Sequence, residues 1–294
     1  MDAALRSWED GIPQARLGAA IPRIIHQTFP ARAMPDTLGQ NLLKIKSLNP
    51  GWEHRFYDDV DIVEFIESSY GPRVLAQYDR INPKYGAAKA DLFRYLLMYR
   101  VGGVYLDIKS TVRKPLDRVL LPDDAYVLSY WRGAQFKGWD TYRVLQPFGG
   151  REFQQWHIIA AAGHPFLRAV IARVLYNLET YNPLIHDTGR MGVNRSTGPI
   201  AYTLAIAPLL SRHRHRIVAG QDELGLEYTV FGTADRAHKS VFRYHYTELN
   251  EPVVRLRGAK KLLWSVLGPI QVHFVYRLRR LRAAIAGRIS RLQA

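Results

Sequence analysis

The sequence predicts an α/β domain built on a mostly parallel central sheet, and three observations carry that expectation. Short apolar runs of strand length alternate along the chain with longer segments of helical spacing. The helical segments close on glycine and proline signals such as Asn49-Pro50-Gly51 and Gly102-Gly103. With 294 residues, 47% of them hydrophobic and 12% aromatic, the chain can close a substantial core.

Taken in order, Pro22 to Phe29 is a buried first strand, and Leu38 to Leu48 has helical spacing up to the Asn-Pro-Gly stop. Trp52 to Asp58 alternates as a second strand; Val60 to Ser69 is helical and closes at Gly71-Pro72. Ala87 to Arg100, rich in Ala, Leu and Tyr, is a strong helix that hands over directly to the short strand Val104 to Asp107. Ala125 to Tyr130 and Trp156 to Ala162 are further apolar strands. Pro165 opens a helix running to Thr180, and Thr197-Gly198-Pro199 opens another running to Leu210. Val241 to Tyr246 is expected as a late strand. There is no internal repeat.

The chain has no cysteine, which excludes disulfide scaffolds, thiolate zinc sites, iron–sulfur clusters and cysteine nucleophiles. Its chemistry rests on oxygen and nitrogen groups. Met1 to Arg16 carries Asp2, Glu9 and Asp10 and lacks the basic, apolar, small-residue plan of a secretory signal, so a cytoplasmic location is expected. The longest apolar stretch, Leu262 to Tyr276, is interrupted by Ser265, Gly268, Pro269, Gln271 and His273 and falls short of the roughly 20 residues that span a bilayer.

The formal net charge is +15, and its placement is uneven. Pro252 to Ala294 holds ten Lys and Arg residues and no acid, which leaves residues 1–251 at only +5. Two units follow: a body over 1–251 and a basic amphipathic helical tail over 252–294. The tail intersperses its cations with leucines, valines and Trp264, and it admits two readings. It is a helix lying on an anionic membrane surface, which would put the protein peripherally at the inner face, or it is a terminal helix whose apolar face caps the domain. Nucleic acid is not expected as a partner, because the body has no recognition motif.

The first half concentrates the polar residues that matter. In an open α/β sheet, ligands bind outside the carboxyl ends of the strands. Asp107 follows Gly-Gly-Val-Tyr-Leu, so an apolar strand delivers a carboxylate to that edge; a turn or cap role is the ordinary alternative. Asp91 and Arg94 stand three apart on one face of the Ala87–Arg100 helix. That helix is too apolar around Leu92, Phe93, Leu96 and Leu97 for both charges to lie in water, so they are expected at or near the interior, where they need partners. At the end of the Ala125–Tyr130 strand and beyond it, Tyr130, Trp131, Trp139 and Tyr142 stand among Arg132, Lys137 and Arg143, a set suited to acceptor-sugar stacking or to plain loop packing. Asn194, Arg195 and Thr197, in a loop entering a helix, could reach a phosphate; His164, before Pro165, fits a loop or cap.

The ordered fragments Ile21-Pro-Arg-Ile-Ile-His-Gln-Thr-Phe29, Ala87-Ala-Lys-Ala-Asp-Leu-Phe-Arg-Tyr95 and Gly102-Gly-Val-Tyr-Leu-Asp-Ile-Lys109 resemble glycosyltransferase family 32, over residues 21–115. Weaker echoes follow at 161–166, 196–199 and 244–246. The resemblance implies a GT-A-type, Rossmann-like nucleotide-sugar-binding domain. It implies transfer of a hexose, with retention of configuration, from a UDP- or GDP-sugar to a glycan or glycolipid acceptor in polysaccharide biosynthesis. Residue by residue it implies that Asp91 and Arg94 hold the donor sugar and that Asp107 is the first acid of the D-x-D motif. Ile25, His26 and Gln27 correspond to the wall of the nucleotide pocket, and His245 to a late polar position closing the diphosphate site.

One departure stands out. The second acid of D-x-D is Lys109 here. A leaving nucleoside diphosphate needs positive charge, which a divalent ion or a lysine can supply. Asp107 and Lys109 are therefore the catalytic candidates. Either Asp107 and His245 retain Mn²⁺ or Mg²⁺, which is the expectation carried forward, or Lys109 serves the phosphates itself, or Lys109 turns away. A non-catalytic nucleotide-sugar-binding or membrane-binding subunit is the competing class.

Overall fold

A computed structural model of the chain describes residues 2–231 and 245–273. Helix α1 (Ala3–Gly11) precedes strand β1 (Ile24–Thr28), helix α2 (Asp36–Leu48), strand β2 (Glu53–Tyr57) and the consecutive helices α3 (Asp59–Tyr70) and α4 (Pro72–Arg80). The long α5 (Gly86–Val101) leads into β3 (Gly103–Leu106), then β4 (Thr111–Val112), β5 (Tyr126–Ser129) and β6 (His157–Ala160). Helices α6 (Pro165–Thr180), α7 (Pro183–His186), α8 (Gly189–Ser196) and α9 (Pro199–Ile206) precede β7 (Arg216–Val218) and β8 (Leu226–Glu227). A last helix, α10, covers 258–273.

The central sheet has the order β2-β1-β3-β6-β5-β7. β1 is parallel to β2 and β3, and β5 to β7, while β6 runs against both neighbours, β3 and β5. Five strands thus share one direction, and the predicted α/β class with a mostly parallel sheet is what forms. Both faces are covered. Tyr105, Tyr126, Leu128, Ile158 and Ala160 face a core shared with α1, α3, α4, α5, α6 and α9, while Val104, Leu106, Val127 and Ile159 face a second core with Ile45 of α2. Burial on both sides explains why these strands read as continuous apolar runs rather than alternating ones.

Two glycines set the passage from α5 into the sheet. Gly102 and Gly103 have φ of +70° and +107°, and a Cβ on them would stand 2.5 Å from the Ala162 nitrogen and the Ile24 oxygen respectively. Only glycine lets β3 enter between β1 and β6 immediately after the helix. At the other glycine stop, Gly71 (φ +76°) ends α3 and at once frees Pro72 to open α4, a helix that the Gly-Pro stop signal concealed. Helix α1 was equally unannounced: Asp2 caps it, and Leu5, Trp8 and Ile12 bury one face.

The expected late strand falls mostly outside the described residues; its last two, His245 and Tyr246, stand at the start of a short 3₁₀ turn. Past Pro252, Val253 and Val254 are fully buried in the main core, and Val254 bridges to Ile81. Helix α10 then lies against the body through Lys260, whose Nζ donates to the Thr180 and Tyr181 carbonyls, and Gln271, which donates to the Pro183 carbonyl. Leu262, Leu263, Val266, Leu267 and Ile270 remain exposed on it. Among the described residues no helix is long and apolar enough to cross a membrane.

Candidate active site

The site forms where the sheet's carboxyl edge meets α5. Asp107 is the residue after β3, so strand alternation turns its side chain to the same face as Tyr105, the α5 side. There Arg94 waits: Nη1 lies 3.1 Å from Asp107 Oδ1, and Nη2 lies 3.0 Å from Asp91 Oδ1. Asp91 and Arg94 are each 3% exposed, whereas the Asp107 side chain keeps 23% of its surface. The helix-borne pair expected near the interior is therefore buried and joined to the strand-end carboxylate, which alone opens to solvent.

A residue that sequence reasoning missed completes the cluster. Gln155 precedes β6, and because β6 is antiparallel, its leading segment arrives at the carboxyl edge; the Asp107 N–H donates to the Trp156 carbonyl at 2.8 Å. Arg94 Nη1 donates to the Gln155 carbonyl (2.8 Å) and to its Oε1 (2.9 Å), and Gln155 Nε2 donates to Asp91 Oδ1 (3.2 Å). Thr197 Oγ1 donates to Asp91 Oδ2 at 2.8 Å, and Tyr95 OH donates to the Thr197 carbonyl. Thr197 thus spends its hydroxyl on Asp91, and Asn194 gives its amide to Tyr142 OH. Burial raises the Asp91 carboxyl, with Arg94 opposing it. For Arg94, burial works against the charge, but Asp107, Tyr105 and Asp91 together raise its pKa, so the guanidinium stays charged.

Lys109 lies in a tight turn, in which the Ser110 N–H returns to the Asp107 carbonyl, so strand alternation no longer governs it. Its Nζ donates to Tyr228 OH at 2.7 Å and lies 4.1 Å from that ring's centre. The β4–β8 pairing positions Tyr228, and the Val230 N–H donates to the Lys109 carbonyl at 2.8 Å. Trp131, Trp139, Phe136 and Trp156 surround the Tyr228 ring at centroid distances between 5.1 and 6.4 Å. The aromatic run after β5 therefore packs around Tyr228. Burial lowers the Lys109 pKa, and the neighbouring Asp107 charge works against that fall.

The three residues expected to wall the base occupy the sheet interior. Ile25 sits in the second core, and His26 is fully buried, its Nε2 donating to the Gly102 carbonyl at 2.9 Å while Nδ1 accepts from Tyr57 OH. Gln27 reaches beneath the site, where its Nε2 donates to the Asp107 carbonyl at 3.4 Å. His245 Nδ1 meets the Thr247 hydroxyl at 2.6 Å. His164 is the cap of α6, Nδ1 accepting the Phe166 N–H.

A divalent ion fits this donor set poorly. Mn²⁺ and Mg²⁺ take several oxygen ligands, but Asp107 is already paired with Arg94, and an ammonium stands where the second carboxylate would be. Among the described residues, no three His, Asp or Glu side chains converge as metal ligands would.

Comparison with known proteins agrees with the motifs. Residues 35–126 match the family model for a glycosyltransferase sugar-binding region containing a DXD motif. The inositol phosphoceramide mannosyltransferase 3 of Schizosaccharomyces pombe is 36% identical over 58% of this chain and 43% of its own length. The initiation-specific alpha-1,6-mannosyltransferase of Candida albicans is 30% identical over 52% of this chain and 42% of its own length. The chain thus spans less than half the length of either relative. Among solved structures, the PaToxG glycosyltransferase aligns over 91% of both chains at 14% identity with a TM-score of 0.48. Over residues 35–126 the chain is thus similar to glycosyltransferases that carry this sugar-binding region.

Proposed function

We propose that the chain is a retaining glycosyltransferase that moves a hexose from a nucleotide-sugar donor to a glycan or glycolipid acceptor in polysaccharide biosynthesis. The observation that carries this reading is the convergence of Asp91, Arg94 and Asp107 at the carboxyl edge of a mostly parallel sheet, with only Asp107 open to solvent. A buried acid–guanidinium pair held by Gln155 and Thr197 is a preorganised frame. It fixes the Asp107 carboxylate, whose free oxygen can accept hydrogen bonds from donor hydroxyls. Charges kept apart from water at this cost in a strand-end cleft point to chemistry rather than to stability alone. Retention is taken from the family resemblance. Two relatives are named mannosyltransferases, so GDP-mannose comes first among donors, followed by UDP-glucose and UDP-galactose.

In this reading the acceptor is presented at a membrane surface on the cytoplasmic side. Support comes from α10, with exposed Leu262, Leu263, Val266, Leu267 and Ile270, and from the ten cations without an acid over 252–294. The Mn²⁺ or Mg²⁺ expected on Asp107 and His245 does not enter this reading, because Arg94 already pairs with Asp107 and Lys109 replaces the second acid.

The test incubates the purified chain with each donor and follows sugar release or transfer. One donor is expected to turn over, and Asp107→Ala to lose that turnover. Full activity in Asp107→Ala removes the residue from the mechanism, and donor binding without transfer to any acceptor favours a non-catalytic binding subunit.

A further inference from the structure

The site's charge disagrees with the metal that D-x-D transferases use, and the disagreement has a chemical answer that rests on the donor-site reading above. We propose that Lys109 takes the place of the divalent ion, so that the chain holds the donor diphosphate with an ammonium group and needs no metal.

Four observations support it. Lys109 occupies the position of the second acid, two residues after Asp107. The structure keeps its ammonium at the site: Tyr228 OH accepts one N–H at 2.7 Å, and the aromatic side chains around Tyr228 hold that acceptor in place. The main chain is pinned as well, since the Val230 N–H binds the Lys109 carbonyl and Ser110 Oγ donates to the Tyr228 carbonyl at 2.9 Å. Third, an ammonium has three donors and Tyr228 takes one, so two remain for phosphate oxygens. Fourth, the site's charges already balance, Asp91 and Asp107 against Arg94 and Lys109, so no carboxylate is left over to hold a divalent cation, whereas the Lys109 ammonium can still meet phosphate oxygens. Because the lysine is largely withdrawn from water, its charge acts on the phosphates with little screening.

In the transfer step the anomeric C–O bond to the diphosphate breaks and its electron pair departs on the diphosphate oxygen. The acceptor hydroxyl oxygen bonds to the anomeric carbon, and its proton leaves with the diphosphate. Lys109 gains or loses no bond; its N–H groups stabilise the charge that grows on the departing oxygen.

The experiment is calorimetric titration of the full chain with UDP and with GDP, in EDTA and again with MnCl₂. Whichever nucleotide binds is expected to do so with a Kd that agrees within about twofold in the two buffers. Lys109→Ala is expected to weaken binding at least tenfold in both. Lys109→Asp, which restores the two-acid motif, should lose binding in EDTA and regain it with Mn²⁺. Wild-type binding that disappears in EDTA and returns with Mn²⁺ overturns the proposal without any variant, as does an unchanged Kd in a folded Lys109→Ala. Metal-free binding without sugar transfer leaves the proposal standing and defeats only the catalytic reading. Failure of both nucleotides to bind in either buffer defeats the donor site, and the proposal with it.

Discussion

Arg94→Met gives the sharpest test of how the site is built. The side chain keeps its length but loses the guanidinium, and with it the ion pairs to Asp91 (3.0 Å) and Asp107 (3.1 Å) and the hydrogen bonds to Gln155 and Ala90. Asp107 is 23% exposed and can hydrate, so one stranded charge remains, Asp91, with only Gln155 and Thr197 as partners. Removing one member of a buried pair costs about 3–5 kcal/mol. Urea unfolding at pH 7, followed by the fluorescence of the six tryptophans, should show that loss as a midpoint lowered by about 1–2 M. If the loss is electrostatic, Asp91→Asn added to Arg94→Met should recover about 1–3 kcal/mol, because neighbours in one network are not additive. Destabilisation should also shrink as the pH falls, because burial raises the Asp91 carboxyl and the variant lacks the Arg94 charge that opposes that rise. An Arg94→Met protein within about 1 kcal/mol of wild type would refute the buried-charge account; a double variant with no recovery would show that lost packing, not stranded charge, is what matters.

The other expectations concern separate parts of the molecule. Gln155→Leu removes the bridge between Arg94 and Asp91, two charge-assisted contacts worth about 1.5–3 kcal/mol each; it should lower donor affinity as well as the melting temperature, and unchanged affinity would make Gln155 purely structural. Buried His26, His157 and His164 have pKa values lowered to about 4, about 3 and about 4 by burial, so below pH 6.5 the unfolded chain binds protons that the folded chain refuses. Half-buried His54, also lowered to about 4, adds to this, while Glu152, pushed up by burial to about 8, works in the opposite sense and offsets part of it; the net loss from pH 7 to pH 5 is about 5 kcal/mol, and a flat denaturation midpoint over that range would contradict it. Leu263→Glu with Val266→Glu, both exposed on α10, should abolish sedimentation with anionic liposomes while leaving the melting temperature within a few degrees; binding that persists would assign the face another role.

The legible parts of this fold are those in which local and tertiary signals agree. Helix α5 is apolar on every side, so Asp91 and Arg94 could be placed inside from sequence, and the Gly102-Gly103 stop located the start of β3. Gln155 was hidden because its value depends on direction: in an all-parallel sheet the residues before a strand lie at the edge away from the site, and the antiparallel β6 reverses that. No local pattern in Glu152-Phe153-Gln154-Gln155 announces the reversal. Lys109 could not be placed from spacing either, since the turn after Leu106 breaks the alternation and its partner Tyr228 lies 119 residues away. Thr197 stands where a phosphate ligand could stand by sequence, yet the nearer need of the buried Asp91 claims its hydroxyl.

Whether Arg94, Asp91 and Asp107 frame the sugar of an activated donor is decided by a crystal structure of the chain soaked with GDP-mannose or UDP-glucose. The expected result is a hexose within hydrogen-bond distance of the Asp107 carboxylate, beside Arg94, and a diphosphate at Lys109 Nζ. A donor seated elsewhere, for example in the groove of about 600 Å³ lined by Arg32, Arg55, Tyr57 and Asp61, with the Asp107 pocket untouched, would contradict it.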